Sequence, residues 1–372
     1  MVITNYNYAQ FLGRAIESAL GQSHPHVQVI VVDDGSTDAS REVIAQYGTS
    51  ITSVLKENGG QGSAFNSGIA AARGRVIYFL DADDEYTPDV IAQTIDLFDG
   101  RVARAHWPFQ RIDGEGRRLG NPVSIATLAS GDLRQEAMRR GPGTHGFAPT
   151  SAMATDSLVL SRLPPLPAKA FRTGADTYVA ELTTFVGPIA VAPDALTLYR
   201  QHGDNDSDRG TFADRLNRWG AWYDACAELA ERYLVSQGTI VDRREWERHG
   251  WAPRLRRAVS TIEATVPAEA RYLLIDDDGW SLSSDPATRA IPCPEMGGIF
   301  WGQPADDIQL IDEFAAKWRA GVRWVAVGWT SFWWRETYAQ AFAWLASHST
   351  VVESDDVVIF RMGEDLDLAK AA

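Results

Sequence analysis

Two cysteines in 372 residues, Cys226 and Cys293, are too few and too far apart for a disulfide framework or for any zinc-ligand spacing. Basic residues are also short: 35 Lys and Arg stand against 49 Asp and Glu, a net charge of -14. Nucleic-acid binders draw much of their affinity from cations that meet phosphates, so this balance argues against a nucleic-acid partner. No apolar run approaches the ~20 residues that cross a bilayer, and the N-terminus lacks the basic and apolar regions of a signal peptide. The expected location is a reducing cytoplasm, with at most peripheral membrane contact. What remains is ordinary globular material, 45% hydrophobic and 23% charged, with enough length for two domains.

The most informative stretch is GRVIYFLDADDEYT, Gly74 to Thr87. Val76 to Leu80 is a continuous apolar run, the pattern of a strand buried on both faces, and it ends abruptly in Asp81, Asp83 and Asp84. A sheet interior does not hold three carboxylates. They are expected to project from the carboxyl end of the strand into the crevice where open α/β sheets bind ligands, a setting suited to a divalent cation with a phosphate attached. The D-x-D pattern alone carries little weight, since it recurs at Asp204/Asp206, Asp206/Asp208, Asp276/Asp278 and Asp365/Asp367. The bland alternative is a solvated acidic turn.

Context favours the crevice. Val2 and Ile3 predict a very short first strand before Thr4-Asn5-Tyr6-Asn7, and Phe11, Leu12, Ala15, Ile16, Ala19 and Leu20 predict a helix. Val29 to Val32 predicts a second strand, ending in the polar run Asp33 to Asp38. A helix around Val43, Ile44 and Tyr47 follows, then a weak strand from Ile51 to Leu55, and Asn58-Gly59-Gly60-Gln61-Gly62 opens a helix that Gly74 closes. Such alternation predicts a doubly wound, mainly parallel sheet, whose three polar strand ends converge on one edge. The Gly-rich loop is neither a dinucleotide fingerprint nor a P-loop.

These motifs, ITNYNYAQFLGRAIESALGQ, VIVVDDGSTD, NGGQGSAFNSGIAAARG and VIYFLDADD, in this order and spacing, resemble the family-2 inverting glycosyltransferases of the GT-A fold over residues 2 to about 207. The resemblance implies a nucleotide-sugar donor, expected to be UDP-linked, and a Mg²⁺ or Mn²⁺ cofactor. It implies that Thr4, Tyr6 and Asp34 line the nucleoside pocket, with Asn7, Asn58 and Gln61 on the donor side, that Asp81 approaches the ribose, and that Asp83 holds the metal. Family members carry several more strand residues before the Thr4 position, so a clipped or late-started N-terminus is expected.

Phe171 to Leu182 places Asp176 at or near a helix start, where an N-cap is the simple reading. The resemblance assigns a general base here, with Ala175 in place of the acid that usually precedes it. Leu198 to Ser207 resembles the YRxHGxNxS segment of bacterial members, which places Arg200 beside the donor and His202, a competent neutral ligand, near the metal or diphosphate. His145 has only its loop position and is read as structural.

Residues 208 to 266 read as a helical extension. Arg243, Arg244, Arg248, Arg254, Arg256 and Arg257, interleaved with Trp246 and Trp251, have the composition of a segment that rests on an anionic membrane, although salt pairing explains them as well. From 267 to 372 a second, smaller α/β unit is expected: strand Tyr272 to Ile275, helix Ile308 to Ala320, strand Trp324 to Val327, helix Glu336 to Ala346 and strand Val357 to Phe360. Asp276, Asp277 and Asp278 end its first strand, and are read as an exposed strand end rather than a second metal site. Nine of the 13 Trp lie after residue 250, more in keeping with core than with sugar stacking. The sequence thus predicts an inverting glycosyltransferase acting on a glycan or lipid-linked acceptor in bacterial polysaccharide synthesis. A nucleotidyltransferase and a non-catalytic assembly protein are the rival readings.

Overall fold

The computed structural model describes residues 1–123, 128–203, 210–277, 279–280, 289–296, 299–300 and 302–364. Asp204 to Ser207 of the YRxHGxNxS segment, Asp208, Asp278, Asp365 and Asp367 therefore lie outside the described residues. The chain forms two compact units, residues 1–209 with 219–250, and 210–218 with 251–372. The helical extension is thus divided between the two units rather than standing apart as a linker.

In the first unit β1 (Val2–Asn5), α1 (Ala9–Leu20), β2 (Ile30–Asp33), α2 (Ser40–Gln46), β3 (Thr52–Leu55), α3 (Gln61–Ala71) and β4 (Val76–Asp81) alternate as predicted. The apolar face of α1 is buried at Phe11, Leu12, Ala15, Ile16 and Ala19, while Leu20 in its last turn is exposed. After β5 (Glu85–Tyr86) and α4 (Val90–Thr94) come β6 (Arg104–His106), β7 (Phe109–Ile112), α5 (Arg134–Arg140), β8 (Met153–Asp156), α6 (Ser157–Arg162), α7 (Ala175–Thr184), β9 (Ile189–Val191) and β10 (Thr197–Arg200). The main sheet has the order β3-β2-β1-β4-β8-β6-β9. Its first four strands are parallel, and β8 runs antiparallel to both β4 and β6, which gives the mainly parallel sheet that was expected. One face of β1 and β4 packs into a core with Ile3, Leu12, Val31, Leu80 and Trp107, and on the other Val2 and Phe79 are buried, Phe79 stacked on Phe65.

Two registers place the site. Thr4 pairs with Asp81 and Asn5 with Asp33, so the polar tips of β1, β2 and β4 stand side by side on the carboxyl edge. A second sheet, β5-β10-β7, pairs Leu198 with Glu85 and so delivers the segment after β10 to the Asp83–Asp84 turn.

The helices α8 (Phe212–Ser236), α9 (Arg243–His249) and α10 (Trp251–Thr265) lead into the second unit, which adds β11 (Tyr272–Ile275), β12 (Ala290–Pro292), β13 (Glu295–Met296), β14 (Ile299–Phe300), α11 (Asp307–Arg319), β15 (Trp324–Gly328), α12 (Trp334–Thr337), α13 (Ala339–Ser347), β16 (Ser349–Glu353) and β17 (Val357–Met362). Its five-stranded sheet, β12-β11-β15-β17-β16, packs Phe314, Trp334 and Phe342 against Leu273, Val325 and Val358. The helix expected over Glu336 to Ala346 is broken at Tyr338.

One expectation for this region changes. Asp276 and Asp277 are not an exposed strand end: Asp276 is buried and accepts from the Trp280 amide, and Asp277 accepts from the Ser331 hydroxyl and from the Trp333 and Trp334 indoles. Donors that saturate a carboxylate in this way also leave it poorly placed to ligate a metal. Arg254 and Arg257 both pair with the buried Asp356, the salt-pairing alternative for this segment. Of the eight described tryptophans after residue 250, Trp280, Trp334 and Trp344 are buried, four are half-buried, and Trp333 is 40% exposed. Among the described residues no helix is long and apolar enough to cross a membrane.

Candidate active site

Asp81 is the hub of the carboxyl edge. Its Oδ1 accepts from Thr4 Oγ1 and from Gln61 Nε2, each at 3.3 Å, and its amide donates to Ser151 Oγ at 3.0 Å. The antiparallel register makes the last contact inevitable: β4 Tyr78 faces β8 Ala154, so three residues onward Asp81 meets Ser151. The neighbouring Thr150 lies beside both carboxyls and favours the charged form of Asp81 and of Asp176. Burial, then the charges of Asp83 and Asp176, push the Asp81 carboxyl up to about 8. Burial also raises Asp84, with Asp83 and Asp81 adding repulsion.

Asp83 Oδ2 lies 3.1 Å from His202 Nε2, and the imidazole packs on Phe11 and Tyr8 at 4.9 and 5.5 Å between ring centres. These two side chains offer adjacent oxygen and nitrogen donors next to a carboxylate-rich tip. Among the described residues no group of three His, Cys, Asp or Glu side chains could hold a metal ion. Mg²⁺ and Mn²⁺ at phosphate-bearing sites are commonly held by one or two protein groups, with substrate oxygens and water as the rest, so Asp83 and His202 fit that group.

Asp176 lies in the first turn of α7, not at its N-cap, which is Gly174 in the left-handed region. Its carboxyl is raised by burial, opposed by the Thr177 amide and by Thr150. The amide just ahead of it, Ala175 N, donates to Gln61 Oε1 at 2.9 Å.

Other expected donor contacts are turned toward the protein. Arg200 is fully buried: its Nε donates to Asp83 O at 2.8 Å, its Nη1 to Asp113 O and Gly114 O, and its Nη2 pairs with Glu85. Arg200 is therefore a brace under the Asp83–Asp84 turn rather than a group facing the donor, and its amide also holds Asp84 Oδ1 at 2.8 Å. Asn58 bonds Asp34 O through Nδ2 and Arg172 Nη2 through Oδ1. Asn7, at a positive φ, accepts from the Thr37 amide and ties β1 to the Asp33 to Asp38 loop. Asp34 accepts from Lys56 Nζ and from the amides of Gly59 and Gly60, so its carboxylate shapes the Gly-rich loop. Tyr6 stays 46% exposed.

The Gly-rich loop is no phosphate cradle, because its first helical amides are already bonded: Gln61 N donates to Arg172 O and Gly62 N to Phe171 O, both at 2.8 Å. Gly60 has φ +85, and a Cβ there would lie 2.6 Å from the Arg172 Cα. Only glycine allows this loop to approach Arg172 this closely.

The Glycosyl transferase family 2 profile matches residues 1–159. An uncharacterized glycosyltransferase of Nostoc sp. is 36% identical over 239 residues, which cover 63% of this chain and 73% of that protein. The chain belongs to glycosyl transferase family 2. Shorter matches join this glycosyltransferase to the succinoglycan biosynthesis protein ExoO of Rhizobium meliloti, 38% identical over 34% of this chain and 38% of that one. The putative teichuronic acid biosynthesis glycosyltransferase TuaG of Bacillus subtilis is 34% identical over 26% of this chain and 40% of its own length. Among solved structures, S. aureus TarS 1-349 in complex with UDP has a TM-score of 0.44 at 15% identity, covering 69% of this chain and 77% of that one.

In this glycosyltransferase the sequence reading missed Thr150 and Ser151. No local signal marks them; they reach the β4 tip only because β8 inserts antiparallel between β4 and β6. Lys56 was also missed, although a lone Lys next to a strand end facing Asp34 was a readable hint.

Proposed function

We propose that the first unit is an inverting transferase that moves a hexosyl or hexosaminyl group from a nucleoside diphosphate sugar, UDP-linked, to a hydroxyl of a glycan or lipid-linked acceptor. The observation that carries this is that the β4 tip with Asp81, Asp83 and Asp84 is joined to the start of the Asp176 helix through Gln61, which bonds Asp81 Oδ1 and the amide just before Asp176. Asp81 takes the ribose, and Tyr6 offers its exposed ring to the base. Asp83 and His202 would hold Mg²⁺ or Mn²⁺, which when bound offsets the negative charge that gathers on the departing diphosphate. Asp176 accepts the proton of the acceptor hydroxyl as its oxygen bonds to the anomeric carbon and the bond to the diphosphate breaks. A carboxyl raised by burial holds a proton more readily than an exposed one, which suits a base.

The bonded amides at the start of α3 favour this reading over a nucleotidyltransferase, which needs such amides for a triphosphate. The names of ExoO and TuaG support a role in surface polysaccharide assembly. The test is a panel of nucleotide sugars with Mn²⁺, read as release of UDP and transfer to glycan acceptors. Asp176→Asn should reduce transfer on the order of 10²–10⁴-fold while donor binding persists. Asp83→Ala should abolish the gain in UDP affinity that Mn²⁺ brings. Donor binding without turnover by any sugar would instead favour a binding and assembly protein.

A further inference from the structure

Gln61 sits between the two halves of the proposed site. Its Nε2 donates to Asp81 Oδ1 at 3.3 Å and its Oε1 accepts from Ala175 N at 2.9 Å, the amide directly before Asp176. The backbone on either side is joined as well, through Gln61 N to Arg172 O, Gly62 N to Phe171 O, and Arg172 Nη2 to Asn58 Oδ1 at 2.7 Å. The backbone bonds align the loop and helix α7. The side chain of Gln61 itself hydrogen-bonds both a carboxylate on the donor side and the amide that opens the base helix.

We infer that Gln61 is a positioning residue that couples occupation of the donor site to the placement of the base helix. This rests on the donor and base roles proposed above. A ribose hydroxyl that bonds Asp81 competes for the oxygen that Gln61 holds, so the amide side chain must adjust, and its other end carries the start of α7 with it. The terminal amide is a suitable group for this because it donates at one end and accepts at the other. Glutamate keeps the acceptor for Ala175 but faces Asp81 with a second carboxylate. Leucine keeps the bulk and lacks both polar ends, while the backbone bonds of residues 61 and 62 persist.

The test uses the full chain with UDP and Mn²⁺ as the probe, and reads amide hydrogen exchange across 174–184 with the Ala175 amide as the direct reporter. In the wild type UDP should slow exchange there about fivefold or more, the low end of couplings between sites. In Gln61→Leu the slowing should vanish at a UDP concentration that saturates that variant, whatever the change in its affinity. Gln61→Glu should retain basal protection of Ala175 yet lose its response to UDP. A purely structural role predicts a faster basal exchange in Gln61→Leu with the UDP response intact, and that result overturns the coupling. So does a wild-type helix whose exchange ignores bound UDP. Failure of the wild type to bind UDP with Mn²⁺ overturns the donor reading itself, and the coupling with it.

Discussion

Replacing Arg200 by Met removes a guanidinium that is wholly shut off from solvent together with its bonds to Asp83 O, Asp113 O and Gly114 O and its pair with Glu85. Removing one partner of a buried ion pair costs about 3–5 kcal/mol, because the other charge is left stranded. Glu85 is 24% exposed and regains some water, which puts the expected loss near the lower end, about 3 kcal/mol. The contact of the guanidinium with the Phe11 ring, 5.0 Å from its centroid, adds about 0.5–1 kcal/mol. Chemical unfolding at constant m-value is the measurement, with Mn²⁺-dependent UDP binding alongside it, since Arg200 braces the turn that carries Asp83. Arg200→Lys keeps the charge but loses the planar fork that spans several carbonyls, and should fall between wild type and Met. Adding Glu85→Gln to Arg200→Met should restore about 1–2 kcal/mol by removing the stranded carboxylate. A loss below about 1 kcal/mol in Arg200→Met, or a double variant no more stable than the single, would refute the reasoning.

Further outcomes follow from the same structure. Gly60→Ala should destabilise the first unit by about 1–3 kcal/mol and weaken UDP binding, since its backbone lies in a region open mainly to glycine; unchanged stability would remove the close-approach argument. Glu181 is buried and bonded to Gly143 N, and burial lifts its carboxyl to about 7, with the Gly143 amide and Arg104 pulling the other way. The folded chain then keeps a proton that the unfolded chain releases from about pH 4.5 upward, so this group lowers stability as pH rises through that window to about 7. Glu181→Gln should flatten that decline, and stability–pH curves that run parallel for the two proteins would contradict it. Asp356→Asn should cost the second unit about 2 kcal/mol through weakened bonds to Arg254 and Arg257, as thermal or chemical unfolding can measure. Flotation with anionic vesicles should not distinguish wild type from a variant with Arg254 and Arg257 changed to Glu, provided both remain folded.

Much of the first unit was readable from local pattern. An apolar run such as Val76 to Leu80 that stops at three acids has few ways to satisfy both burial and charge, so the strand, its direction and its polar tip follow from sequence alone. The same holds for β2 ending at Asp33 and for the helix that begins at Gln61. The second unit was less legible: three of its strands and its helices show in the pattern, but the helix break at Tyr338, the short β12, β13 and β14, and the mostly exposed β16 do not. What local pattern could not determine was the direction in which each polar side chain turns. Arg200, Asn58 and Asn7 stand in motifs that point to a ligand, yet their partners are protein atoms 24 to 117 residues away in the chain. Thr150 became part of the site only through the insertion of β8 beside β4. Periodicity records which residues are buried because burial is a property of each element, whereas a hydrogen bond belongs to a pair, and the pair exists only once distant strands have come together.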